Sequence, residues 1–245
     1  MPNSGNPDTS ISFHTRTGFS KEIGKDTNLV LDAGCGVGRY MSIALELGAE
    51  VVGMDLSSSV DQAMENVGHQ PNCHLVQGDL NNPPFTTQTF SHIFSLGVLH
   101  HTPDPFASFQ ALTPLVKPGG NIAISVYPKT PFYTSSQRLR VITTRMNKRV
   151  LYTLTTLMTM FLYPLYKVPF LKLLYPYAPI SMHRKFDWRR LDTFDCYSPK
   201  YQHTYTNYEI FQWFKKEGFT NIEVLEAEIS IRGCRPLLTD NESSG

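Results

Sequence analysis

From about residue 28 to residue 127 the chain alternates short apolar runs with stretches of helical periodicity, and this alternation restricts the fold more than any other feature. The runs are LVLDA (29–33), EVVGMD (50–55), HLVQGD (74–79), FSHIFSLG (90–97) and GNIAISVY (120–127). Helical patterns run from Arg39 to Leu47, from Ser57–Ser59 through Met64 to Val67, and from Asp104 through Phe109 and Leu112 to Val116. Short strands alternating with helices predict a parallel sheet covered on both faces, with ligands at the carboxyl ends of its strands. At 245 residues and 41% hydrophobic, the chain can build one large core, or a core with a sizeable insertion.

The first strand runs into Gly34, Gly36 and Gly38, a G-x-G-x-G turn at the start of a helix. A dinucleotide fingerprint needs a further glycine at 39, where this chain has Arg39, and a P-loop ending in Gly-Lys-Ser/Thr is absent. Such turns also occur with no ligand. Asp55 closes the second strand, placed for a ribose diol, and Asp79 closes the third, where a carboxylate can take an adenine amino group. Either acid alone is more often a cap or turn residue. Together they point to a nucleoside without a pyrophosphate.

VLDAGCGVGRY, VVGMDLS, VQGDL, FSHIFSLGVLHHTPDP and LVKPGGNIAISVY resemble the successive motifs of class I S-adenosylmethionine-dependent methyltransferases, nearest to the small-molecule branch that includes ubiquinone-biosynthesis-type enzymes. The likeness resumes at TNYEIFQWFKKEGFTNIEVLE (206–226). It implies a Rossmann-like α/β fold: a seven-stranded, mostly parallel sheet with a reversed last strand and helices on both faces. It implies S-adenosylmethionine as cofactor, with Asp32, Gly34, Gly36 and Gly38 around its methionine part and ribose. Asp55 would bind the ribose hydroxyls with Leu56 beside the adenine; Gly78, Asp79 and Leu80 would frame the adenine, and Ser95 to Gly97 would lie near the methionyl end.

A sulfonium is already an activated methyl donor, so such a site must align an acceptor and exclude water. An oxygen acceptor would also lose a proton to a base. His100 and His101 stand just past the fourth strand and are the candidates, or else one of them braces the loop.

One segment departs from a minimal domain of this kind. Residues 131–200, a helical insertion after the fifth strand, carry 12 Lys/Arg against 3 Asp/Glu, whereas the rest of the chain carries 10 against 18. Leu139, Ile142, Met146, Val150, Leu154, Leu157/Met158 and Phe161 recur at helical spacing between Ser136 and Leu162, as one helix or a pair ended by Pro164. The uncharged run Val150–Tyr166 holds four Thr and falls short of the roughly 20 apolar residues of a spanning helix. The insertion reads as helices on the sheet's edge with a solvated basic face, as a lid over the acceptor, or as a contact with an anionic membrane. FDCYSPKYQHTYT (194–206) then reads as a connector whose Asp195, Tyr197, Tyr201 and His203 either bind the acceptor or pack on the core, ahead of a capping box at Thr206 and Glu209.

These observations predict a single domain over 1–245, with its core at about 28–127 and 204–235, that methylates a small, anionic or amphipathic molecule. The alternative is a module that binds the cofactor without turnover. No nucleic-acid partner is expected, because the basic residues form no compact patch. The polar start MPNSGNPDTS and the scattered Cys35, Cys73, Cys196 and Cys234, with no CxxC pair, predict a cytoplasmic chain without a metal site.

Overall fold

A computed structural model describes residues 7–24 and 29–237; Asn28 and the first six residues of the polar start lie outside the described residues. The seven strands are β1 (Leu29–Ala33), β2 (Glu50–Asp55), β3 (Cys73–Gln77), β4 (Phe90–Leu96), β5 (Val116–Ser125), β6 (Thr220–Val224) and β7 (Ser230–Cys234). The α-helices among the described residues are α1 (Pro7–Thr17), α2 (Arg39–Glu46), α3 (Ser59–Val67), α4 (Pro105–Leu112), α5 (Pro131–Thr143), α6 (Lys148–Leu165), α7 (Phe186–Tyr197) and α8 (Asn207–Lys216). The chain divides into two compact units, one of 1–127 with 205–245 and one of 128–204.

The strands of the first unit form one sheet in the order β3-β2-β1-β4-β5-β7-β6, parallel except for β7, which runs against both its neighbours. Successive side chains leave a strand on opposite faces. Val30, Val51, Phe94 and Ala123 therefore join Phe13 of α1 and Met41 and Ile43 of α2 in one core. Leu31, Val52, Ile93 and Ile122 join Phe109 of α4 and Ile210 and Phe214 of α8 in the other. Burial on both faces explains why these strands read as unbroken apolar runs. Because β2 and β3 extend to one side of β1 and β4 and β5 to the other, the strand order reverses between β1 and β4. A crevice opens there at the carboxyl ends.

The boundaries differ from the sequence reading where pairing decides them. β5 begins at Val116, because Val116 pairs with Phe90 across an irregularity in the register, and it ends at Ser125. α4 is N-capped by Asp104, whose carboxylate accepts from Ala107 N at 3.1 Å, and it passes at Thr113 into a short 3-10 turn. α8 opens with the expected capping box between Thr206 and Glu209.

In the second unit the helical stretch expected over 136–162 is two helices. α5 stops at Thr143, and Asn147 caps α6 by accepting from Arg149 N at 2.9 Å. Pro164 sits in the last turn of α6, and Pro169–Leu174 is a 3-10 helix. Leu151, Cys196 and Tyr197 form the core of this unit. Arg140 is buried beneath the carboxyl end of α7, donating to the carbonyls of Cys196 and Pro199 and to the Gln202 side chain. Thr143 Oγ1 donates to Tyr197 O at 3.0 Å and Lys148 Nζ to Ser198 O. The open carbonyls at the end of α7 thus take their donors from α5 and α6. Arg189 is buried with its guanidinium 3.4 Å from the centre of the Tyr163 ring. Among the described residues no helix is long and apolar enough to cross a membrane.

Substituting Arg140→Ala should destabilise the protein by about 3 kcal/mol or more, since buried carbonyls lose a charged donor. Arg145→Gln, at an exposed position, should stay within about 0.5 kcal/mol of the parent. Denaturant unfolding of both variants checks the contrast.

Candidate cofactor site at the crevice of the sheet

The turn after β1 is tied to the end of β2. Gly34 N and Cys35 N donate to Met54 O at 2.7 and 3.0 Å, and Gly36 N donates to Asp55 Oδ2 at 2.9 Å. Asp55 Oδ1 accepts from Ser57 N at 2.9 Å and from Ser57 Oγ at 2.7 Å. Gly34 has φ +91° and a Cβ there would lie 2.4 Å from Val98 Cγ1, so only glycine fits. At Gly36 a Cβ would meet nothing within 4 Å, which leaves this stretch of backbone open to a ligand. Gly38, with φ +83°, stands at the N-cap of α2 without a side-chain cap.

Asp32, the penultimate residue of β1, is buried, and its Oδ2 accepts no hydrogen bond. Burial, and then the Asp55 carboxylate, hold its carboxyl well above the ordinary carboxylate range, against the opposing pull of the Met41 backbone N–H. A buried acceptor with an unused oxygen is a place where a donor is missing. Burial likewise raises the Cys35 thiol, so it is no nucleophile at neutral pH.

Gly78 N donates to Asp55 O at 2.9 Å, which brings the third strand's end to the same place. β3 ends at Gln77, so Asp79 does not close the strand; it lies in the following turn, exposed, accepting from Asn81 N and Nδ2 at 2.9 and 3.0 Å. Leu56 is exposed, whereas Leu80 is buried in the core. Ser95 is fully buried and donates to Ala33 O at 2.7 Å, which fastens β4 to β1 rather than presenting a hydroxyl to a ligand. Gly97, just beyond it, has φ +80° and open space in front.

His100 and His101 end a 3-10 turn over Leu99–His101. The His100 ring is wholly buried, 3.8 Å from the Tyr127 ring and 4.1 Å from His101, while His101 is half-buried and edge-on to Tyr127 at 5.3 Å. The doublet therefore splits into an enclosed ring and a reachable one. Tyr127 was not singled out in the sequence, although its place two residues past β5 could have marked it. Arg16 was missed as well. It reaches from α1 to donate to Ser125 Oγ at 2.6 Å, beside Gly97, whose N–H donates to Ser125 O at 2.9 Å.

The second unit holds the remaining candidates. Asp195 and Tyr197 lie in the last turn of α7, so the expected connector over 194–206 is helical as far as 197. Tyr197 is buried and donates its hydroxyl to Pro179 O at 2.7 Å, as in the packing alternative for this segment. Tyr201 and His203 follow in irregular chain, half-buried, on either side of Gln202. Among the described residues no three His, Cys, Asp or Glu side chains are grouped to hold a metal ion.

Residues 31–124 match a family described as "Methyltransferase domain". Demethylmenaquinone methyltransferase of Staphylococcus haemolyticus is 31% identical over 121 residues, 46% of this chain and 51% of that one. The tRNA U34 carboxymethyltransferase of Nautilia profundicola is 31% identical over 103 residues, 39% of this chain and 33% of that one. The chain thus spans about half the length of the first of these relatives and a third of the second. The structure of Haemonchus contortus phosphoethanolamine N-methyltransferase 2 with S-adenosyl-L-methionine shares the fold, with a TM-score of 0.53 at 18% identity over 89% of this chain and 38% of that one.

Two outcomes follow from the carboxylates. Asp55→Ala should lower the stability of the free protein by about 1–3 kcal/mol, because the glycine turn loses its brace; thermal unfolding reads this directly. Asp32, with its folded pKa raised, binds more protons in the native than in the unfolded state, so its contribution to stability falls as pH rises from about 4 through the raised pKa. Asp32→Asn should therefore flatten that fall and raise the melting temperature at neutral pH.

Proposed function

We propose that the chain, whose residues 31–124 match a methyltransferase domain family, transfers a methyl group from S-adenosylmethionine to a small anionic or amphipathic molecule. The observation that carries this reading is the unused, buried Oδ2 of Asp32 beside the open backbone of Gly36. When bound, the cofactor supplies a methyl group already activated on a sulfonium. Asp32 would hold its ammonium, with Gly34, Gly36 and Gly38 allowing close backbone approach. Asp55 has lone pairs left beyond the turn's hydrogen bonds and would accept from the ribose hydroxyls. Asp79 would accept from the adenine amino group, with Leu56 and Gly78 beside the ring. Gly97, and Arg16 held at Ser125, would face the methionyl end.

His101 is the base in this reading, because the residue is only half-buried whereas His100 is wholly buried. His100 holds Tyr127 and His101 in place by stacking. The second unit is an elaboration of one methyltransferase domain, entering directly after β5. Its charge and aromatic rings support an acceptor with an anionic or apolar part, with Asp195, Tyr201 and His203 as candidate contacts. The four free cysteines accord with a cytoplasmic setting.

Calorimetry with S-adenosylmethionine and S-adenosylhomocysteine tests the cofactor. Release of S-adenosylhomocysteine with a metabolite extract tests turnover, and a parallel tRNA arm tests the other acceptor class. Binding without release from either would leave a non-catalytic module. With the acceptor in hand, His101→Ala should lower kcat by about 10²-fold or more at unchanged cofactor affinity. His100→Ala should instead lower the melting temperature. Normal turnover in both variants would remove the doublet from the chemistry.

A further inference from the structure

α6 has one buried side and a second, exposed side that is apolar. Its inner side, marked by Leu151, Thr155 and Thr159, is buried. Its other side carries Val150, Leu154, Leu157, Phe161 and Leu165, spaced three or four residues apart and all exposed, with Phe161 at 69%. Such a stripe on a helix normally faces a core. The exposed apolar surface continues beyond α6, through Phe170 at 69% and Leu173 at 77% in the 3-10 helix to Tyr177 at 71%. Isolated exposed apolar residues are ordinary; a run of this extent marks a contact surface.

Along α6 the charges stand at the ends of the stripe rather than within it. No charged residue lies between Arg149 and Lys167. Arg149 stands at one end of the stripe, Lys167 and Lys172 at the other, and Arg184 and Lys185 follow, all exposed. An uncharged side about 24 Å long with cations at both ends suits a helix lying in a membrane interface, where long basic side chains reach the headgroups. We propose that this face of the second unit docks on an anionic lipid surface, with α6 and the 3-10 helix lying in its plane. A second copy of the chain is the other occupant to weigh. The unit carries 13 basic residues against 3 acidic ones, so a self-complementary contact would set like charges against each other, whereas acidic headgroups complement them. The proposal stands whether or not the methyl-transfer reading holds.

The test uses the full chain with vesicles of phosphatidylcholine alone and of phosphatidylcholine mixed with phosphatidylglycerol. Co-sedimentation should occur with the anionic vesicles, weaken as salt is raised, and be small with the neutral ones. Phe161→Ser with Phe170→Ser should lower the partition coefficient by about tenfold or more, and Lys172→Gln with Arg184→Gln should do the same. Melting temperature and S-adenosylmethionine affinity, measured on the same preparations, should stay at the parent values in both variants. No co-sedimentation, equal binding to both vesicle types, or a parent dimer in sedimentation velocity that Phe161→Ser and Phe170→Ser dissolve would each overturn the proposal. Failure of cofactor binding with vesicle binding intact would instead remove the methyl-transfer reading alone.

Discussion

Three backbone N–H groups of the turn after β1 donate to the end of β2, two to the Met54 carbonyl and one to the Asp55 carboxylate. The whole site hangs on this tie. It fixes where α2 starts and keeps Gly36 open. It also sets the Asp55 carboxylate where it raises the pKa of Asp32. A second carboxylate kept close to a buried one is unfavourable in the free protein, and the unpartnered oxygen adds to the cost. A cationic group placed beside Asp32 would relieve both costs.

The sheet was legible in the sequence because both of its faces are buried, so β1, β2, β4 and β5 announce themselves as apolar runs with no competing period. The position of β7 could not be read from period alone. SIRGC carries an arginine at its centre, and what makes it a strand is Arg232 bonding to Gly18 O and Glu223 together with pairing to β5. The glycines and the acids at the strand ends were legible as a set. Their separate geometry was not: Ser95 is turned into the sheet and Leu80 into the core by contacts with residues far away in the chain. α1 gave no signal, since PDTSISFHTRT is polar except for Ile11 and Phe13, and only docking makes Phe13 a core residue and Arg16 part of the crevice.

The charge of the second unit shows the same limit. Counting residues gives a strongly basic segment, but Arg140 and Arg189 are buried, and Lys148 is engaged at the end of α7. Part of the positive balance is therefore helix-capping and ring-stacking chemistry that holds three helices together. Arg149, Lys172 and Arg184 are exposed, the first at the start of the exposed apolar face and the others beyond its α6 part.

Tyr205 N donates to Tyr127 O at 2.9 Å, so the chain leaves the first unit and re-enters it at one hydrogen-bonded step. To the sheet, the excursion between those two tyrosines is equivalent to a closed bracket: β5 and α8 are joined by local geometry whatever lies inside. Material can be lengthened, shortened or exchanged within the bracket without altering the register of any strand. The scaffold is in this sense modular at one point, and that point lies at the carboxyl end of β5, beside the crevice. A lineage could acquire a new acceptor or a new location in the cell by changing what is spliced there, while the cofactor's side of the site stays as it is.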